Sequence, residues 1–316
     1  MILQGDIKTP AKEKTSLTIL KTLVYFDIFD YPLSENEIRN FLQQPVTDPA
    51  FASAIDLLIS EKIIFKVDEF YSLENNRQST EKRSQGNLCA KKLLPKAYEI
   101  GTFLYKFPFV RGVGISGSLS KNYADKKADI DFFIITKPNR LWIARTILHL
   151  FKKITFLFGR QHYYCMNYFI DESALSIPDR NIYTATEVIT LLPVAGSLSM
   201  NNFFDANAWV KKWFPVYMSA DRPKISDRGS WLKKITERLF SGAVGDKMDN
   251  FLFRWTARRW ENKERLGQRN SKGRLMNLVT GRHFSKSDPE AFQAQIVALY
   301  NQRLAAVKAA AHHFFD

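Results

Sequence analysis

The sequence predicts an α+β protein: a small mixed-sheet core flanked by an N-terminal module of helices with a hairpin and by a basic, mainly helical C-terminal region. Three observations predict it. Two short, apolar, β-branched runs lie in mid-chain, Val110 to Ile115 and Asp131 to Thr136, and longer amphipathic stretches surround them. Before them, residues 17–73 show three helix-length patterns followed by two brief β-like runs. After them, from Trp209, the chain is rich in helix formers, Trp and cations. A chain of 316 residues suits two or three domains. The boundaries read as 1–85, 86–200 and 201–316.

Residues 17–29 form a first helix, which Pro32 stops. Ser34 and Glu37 make a capping box that starts a second, to about Leu42. Asp48 caps a third, 49–60, with Pro49 in its first turn. Ile63 to Val67 and Phe70 to Leu73 pair as a hairpin, so the module has the pattern of a winged helix. Residues 74–87 are polar without an apolar period and read as a linker or an exposed loop. Helix, strand, strand, helix, strand come next: Leu88 to Tyr105, Val110 to Ile115, Asp131 to Thr136, 141–158 and His162 to Ile170. That order suits a small mixed sheet with helices packed on it.

Hydrophobic residues make up 45% of the chain, enough for a sizeable core. The net charge of +14 favours anionic partners. Residues 209–286 hold 19 Lys and Arg against 7 Asp and Glu, so nearly all of that charge sits there. Cys89 and Cys165 make no metal spacing or disulfide framework, which fits a reducing compartment. The first residues lack the apolar core of a signal peptide. Leu141 to Phe158 is broken by Arg145, His149, Lys152 and Lys153, so it reads as an amphipathic helix. A cytoplasmic protein with no membrane partner is expected.

Chemistry concentrates in residues 112–136, GVGISGSLSKNYADKKADIDFFIIT. A strand ends at Gly117-Ser118, and Asp129 and Asp131 open the next. Side chains two apart on a strand share a face, so the two carboxylates stand side by side with Ile130 turned away. Mg²⁺ is their natural partner. Gly117 lets a ligand approach the backbone, and N–H groups at such a turn cradle anions. Ser118 adds a hydroxyl and Lys121 a point charge for phosphate. Together these parts make a triphosphate site.

This segment resembles the signature of the DNA polymerase beta-like nucleotidyltransferase superfamily: a Gly-Ser turn, a short spacer, then Asp-x-Asp entering an apolar strand. The spacer is closest to the minimal and antibiotic-modifying bacterial enzymes, whose loop often reads Gly-Ser-x-Ala-Arg-Gly. Here Lys121 replaces the Arg and Asn122 the Gly, and Asn tolerates left-handed geometry. The resemblance spans roughly residues 88–172. It implies a nucleotidyltransferase core in which Asp129 and Asp131 bind metal and act catalytically, while Gly117, Ser118 and Lys121 hold the nucleotide. It also implies a third carboxylate from a neighbouring strand. The strand 162–170 has no acid, so Asp171 at its end, Asn167 in its place, or Glu187 further on are the candidates.

The function expected is Mg²⁺-dependent transfer of a nucleoside monophosphate from an NTP, with ATP the first nucleotide to expect, to an acceptor hydroxyl. The alternatives are a nucleotide-binding regulator of weak catalysis, or a nucleic-acid-binding protein using 209–286. The five histidines show no metal spacing. Trp231, Leu232, Ile235 and Leu239 have helical spacing and read as core. Arg254, Trp255, Arg258, Arg259 and Trp260 suit either nucleic acid or a helix with one packed and one basic face. The helix 49–60, which would enter a DNA groove, has no cation and carries Asp56, so the N-terminal module reads as a packing or protein-binding unit.

Overall fold

The computed structural model describes residues 11–126, 128–159, 161–217, 230–269, 273 and 275–310. The first ten residues, His312 and His313, and the stretch 218–229 of the basic region lie outside them. The chain is mixed α and β. Three helices, α1 (Ala11–Asp27), α2 (Glu35–Asn40) and α3 (Asp48–Ser60), accompany a small antiparallel sheet of β1 (Leu33–Ser34), β2 (Phe65–Val67) and β3 (Phe70–Ser72), ordered β1-β3-β2. Ser34 accepts from the Glu37 N–H and Glu37 reaches back to Ser34, so the capping box forms. On α3 the N-cap is Thr47, one residue earlier than expected.

The polar stretch 74–87 is not a linker. It enters a 29-residue helix, α4 (Arg77–Tyr105), capped by Asn76, whose side chain accepts from the Gln78 and Ser79 N–H groups. Its packed stripe is Thr80, Arg83, Gly86 and Ala90. Such a stripe shows no apolar period because its members are small or charged. Arg83 is 1% exposed, donates to Glu37 Oε1 at 2.5 Å and lies 4.0 Å over the Tyr31 ring. A Cβ at Gly86 would meet Tyr123 at 2.2 Å, so that crossing needs glycine. The boundary expected at residue 85 falls inside this helix.

Among the described residues the main sheet has six strands, in the order β7-β4-β5-β6-β9-β8. They are β4 (Val110–Ser116), β5 (Asp131–Thr136), β6 (Cys165–Asp171), β7 (Leu192–Ala195), β8 (Leu278–Thr280) and β9 (Phe284–Ser287). Only β5 and β6 are parallel. The last two strands come from the region expected to be helical, so the boundary at 200 does not separate the sheet from the C-terminal region. Alternation along β5 sends Phe132 and Ile134 to one face and Phe133 and Ile135 to the other, and all four are buried.

On the first face lie α4 and α5 (Leu141–Phe156). On the second lie α6 (Ile182–Thr190), α7 (Ser197–Ala206), the N-terminal module and α10 (Phe292–Ala310), in one continuous apolar cluster from Ile19 to Tyr300. Helices α8 (Trp231–Leu239) and α9 (Gly242–Arg265) sit outside α5 and the start of β4. Asp249 of α9 is fully buried, and its Oδ1 accepts from the Trp142 and Ile143 N–H groups at 2.9 and 3.0 Å. It caps α5, whose own N-cap residue, Arg140, makes no side-chain cap bond. Trp231, Leu232, Ile235 and Leu239 are exposed, not core. Polar groups hold α8 instead: Lys233 donates to the Tyr105 and Val110 carbonyls, and Glu237 takes both Arg111 nitrogens and the Phe109 N–H. No helix among the described residues is long and apolar enough to cross a membrane.

Candidate active site

Strand β4 ends at Ser116, and the chain reverses through Gly117 at φ +70°, a left-handed conformation that L side chains rarely adopt. Ser118 then opens a 3-10 turn, Leu119–Lys121, which ends on Asn122 in left-handed geometry. Two bonds to the Gly117 carbonyl tie the turn: Ser120 Oγ at 2.8 Å and Lys121 Nζ at 3.1 Å. Tyr31, from the N-terminal module, donates its hydroxyl to the Lys121 carbonyl. The Gly117 and Ser118 N–H groups stand at the head of this turn, the kind of position at which backbone N–H groups cradle an anion.

Across from this turn stands Asp131, paired with Ser116 in the ladder. A Cβ at Gly117 would sit 2.6 Å from Asp131 Oδ2, so the turn and the carboxylate face each other directly. Asp131 Oδ1 accepts from Asn167 Nδ2 at 2.5 Å. Asp129 lies two residues ahead of β5, outside the strand. Between them Ile130 is fully buried, its N–H on the His162 carbonyl and its own carbonyl taking the Cys165 N–H. Both acids lie near enough to the Cys165 thiol to act on it. Burial pushes that thiol up, Lys152 opposes this, and the charges of Asp131 and Asp129 push it further up. Asp131 lines the adjoining cavities, whereas Asp129 lines none of the cavities described.

Those cavities meet at Gly117, Asp131, Tyr183 and Glu187. One, of about 220 Å³, runs over an aromatic floor of Phe133, Tyr168 and Phe203 toward Lys286 and Gln293. Phe133 stacks on Tyr168 with ring centroids 5.2 Å apart. The other, of about 400 Å³, opens past Ser118 and Lys121 toward Tyr25, Phe29 and Tyr31. Helix α6 brings Glu187 into both. Asn181 caps this helix by accepting from the Thr184 N–H, and Thr184, Glu187, Val188 and Leu191 fall on one face that lines the smaller cavity. Lys121 Nζ pairs with Glu187 Oε1 at 2.7 Å. Burial, then the Glu187 charge and further groups down to Asp131, hold the Tyr183 hydroxyl well above the usual tyrosine range, so it is a neutral wall.

Asp171 is not part of this site. It pairs with Thr136 at the far end of the parallel β5/β6 ladder, five residues along, roughly 16 Å from Asp131 at a strand's rise. It is fully buried, and its oxygens are occupied by the Asn139 and Ser173 N–H groups and by His283 Nδ1 at 2.8 Å. Its role is to lock the turns that follow β5 and β6. Asn167 and Glu187 are the polar groups near Asp131. Sequence reasoning had no access to Tyr31, Tyr183 or Lys286, which reach the site only through tertiary packing.

Among the described residues no three His, Cys, Asp or Glu side chains are grouped so as to hold a metal ion. Asp131 beside the Asn167 amide, with Asp129 ahead of the strand, falls short of a dedicated cage. Mg²⁺ is commonly held by one or two carboxylates with substrate phosphates and water completing the shell, and one or two carboxylates are what Asp131 and Asp129 could offer. No family model, curated protein or solved structure matches the chain.

Proposed function

We propose that the chain is an Mg²⁺-dependent nucleotidyltransferase of the DNA polymerase beta-like type. The observation that carries the reading is the direct opposition of the Gly117 turn and Asp131, 2.6 Å from where a Cβ would stand. A triphosphate on the Gly117 and Ser118 N–H groups lies against that carboxylate. Mg²⁺ on Asp129 and Asp131 would supply charge neutralisation for the phosphates. Lys121 leaves Glu187 for the β- or γ-phosphate, and Glu187, freed, accepts the acceptor's proton. The acceptor oxygen bonds to the α-phosphorus, the bond from that phosphorus to pyrophosphate breaks, and the proton passes to Glu187. The aromatic floor of Phe133, Tyr168 and Phe203 gives a nucleobase or acceptor a flat apolar surface. ATP is the first nucleotide to test.

The N-terminal helices and sheet are arranged as a winged helix serving as a packing module. Its helix α3 holds no Lys or Arg and exposes Asp56, while Tyr31 and Arg83 brace the Lys121 turn. A second reading, a nucleotide-binding regulator, is favoured by Asn167 standing at Asp131 where an acid would serve catalysis.

Titration calorimetry with each NTP tests the site. Binding is expected only with Mg²⁺, and Asp129→Asn/Asp131→Asn is expected to abolish it. Unchanged Mg²⁺–NTP affinity in that double variant would overturn the proposal. Labelled NTP, followed onto RNA, protein and small-molecule pools, identifies the acceptor. A chain that binds but never transfers label is the regulator.

A further inference from the structure

Exposed apolar side chains form rows on three neighbouring helices. On α9, Val244, Met248, Phe251 and Trp255 follow a helical period and make one stripe, with Phe251 63% exposed. They are distinct from the side α9 buries, Gly245, Asp249 and Thr256. On α8, Trp231, Leu232, Ile235 and Leu239 form a second row, with Trp231 68% and Leu239 70% exposed. On α5, Ile143 and Ile147 pack against Phe240 and Leu252. The same helical row continues uncovered through Leu150, Ile154 and Leu157, the last 82% exposed. The three rows therefore adjoin around Phe240 and Leu252.

Cations flank them. Along α9, Lys247, Arg254, Arg258 and Arg265 repeat on the same helical period just beside the apolar stripe, and all are exposed. The acids Asp246, Glu261 and Glu264 fall beyond that row, further from the stripe. Lys234 and Arg238 flank the row on α8 in the same way.

We propose that this face seats on the surface of an anionic phospholipid bilayer, with the apolar rows in the headgroup–acyl boundary and the Lys and Arg rows on the lipid phosphates. Helices with a Trp- and Leu-bearing side flanked by cations lie in the interface plane and need no spanning length. These side chains line none of the cavities described. A bilayer accepts a face without pockets, whereas a protein partner offers its energy through anchors in pockets. Trp231, Phe251 and Trp255 can stack nucleobases, but the eight other exposed members of the rows are not aromatic and offer bases no such surface. An antiparallel two-fold contact with a second copy would set the Lys247–Arg254–Arg258 row against itself. Helix α5 covers the sheet face bearing Phe132, while the candidate cavity opens on the face bearing Phe133. Docking thus leaves the cavity open to solution.

Sedimentation of the full chain with vesicles tests this. It is expected to pellet with vesicles of phosphatidylcholine containing phosphatidylserine, weakly with phosphatidylcholine alone, and less as salt is raised. Phe251→Ser/Trp255→Ser, both exposed and with an unchanged melting temperature, is expected to weaken binding about tenfold or more. Arg254→Gln/Arg258→Gln is expected to erase the preference for phosphatidylserine. Three results would overturn the proposal: no pelleting with anionic vesicles at low salt, undiminished pelleting of the Phe251→Ser/Trp255→Ser variant, or a dimer by light scattering that this variant converts to monomer.

Discussion

Gly117→Ala is the sharpest probe of the candidate site, because a single methyl group tests both the turn and the carboxylate opposite. At φ +70° an L residue carries a left-handed penalty of about 1–2 kcal/mol. The new Cβ would also stand 2.6 Å from Asp131 Oδ2, closer than carbon and oxygen can pack. Relief by rotating Asp131 sacrifices its 2.5 Å bond from Asn167. A hydrogen bond to a charged group is worth about 1.5–3 kcal/mol when sheltered, and less here, where the pair faces solvent. The sum is a stability loss of about 2–3 kcal/mol, small enough for the fold to survive. Nucleotide binding is expected to suffer more, since the displaced carboxylate is the one proposed to stand beside the phosphates. An affinity loss of about a hundredfold corresponds to about 2.7 kcal/mol. Urea denaturation measures the first quantity and Mg²⁺–NTP calorimetry the second, with Ser118→Ala as a milder control that removes one hydroxyl. A Gly117→Ala protein that binds Mg²⁺–NTP with unchanged affinity would refute the assignment of this turn to phosphate, whatever its stability.

Other perturbations separate the roles. Glu187→Gln is expected to leave Mg²⁺–NTP affinity within about threefold and to cut label transfer by about a hundredfold or more; equal loss of both would make Glu187 a binding group instead. Asp249→Ala strips the cap from α5 and is expected to cost about 1–2 kcal/mol or more in denaturant unfolding. Asp249→Asn, which keeps an acceptor for the Trp142 and Ile143 N–H groups and relieves a buried carboxylate, is expected to be nearly neutral. Stability should also depend on acid. Although burial opposes ionisation, Arg111, the Phe109 N–H and Lys233 together hold the Glu237 carboxyl below the usual range. Its stabilising contribution is complete above the ordinary glutamate value of about 4.3 and disappears as pH falls through the lower folded value. Asp249, raised chiefly by burial, runs the other way: its contribution is present below the ordinary aspartate range and is lost as pH rises through the folded value. Asp27, also raised chiefly by burial, acts like Asp249, so in an Asp27→Asn/Asp249→Asn background melting temperatures from pH 6 down to about pH 3 should fall, and Arg111→Ala should flatten that fall.

The strands and the carboxylate-bearing turn were legible because their signals are local. A β-branched run with buried alternation reads directly as β5, and Gly117, Ser118 and Asp131 are fixed by a turn and a strand entry a few residues apart. The helix over 77–87 was illegible because Arg83, Thr80 and Gly86 do the packing that Leu or Ile would advertise. The α8 row misled for the converse reason: Trp231, Leu232, Ile235 and Leu239 look like a core face, but the helix is moored by Lys233 and Glu237. Asp171 was attractive by position alone, and only the register of β6 on β5 reveals that it stands at the wrong end. Glu187 had one faint signal, being the only charge between Asn181 and Leu191. Nothing in the sequence shows that this helix face turns toward Lys121.

The Asp249 cap also fixes an order of events during synthesis. Helix α5 emerges from the ribosome with its first N–H groups unpaired, and the carboxylate that receives them is made 107 residues later. The outer edge of β6 waits as long, since Ser285 of β9, which joins Phe169, is made 285 − 169 = 116 residues later. Throughout that interval a bare strand edge and an uncapped helix are presented together, which is the circumstance that invites pairing with another chain. High contact separation of this kind slows closure of the sheet. Protein cut at the sequence-based boundary near residue 200 should therefore aggregate when expressed alone, whereas the full chain completes its own edge.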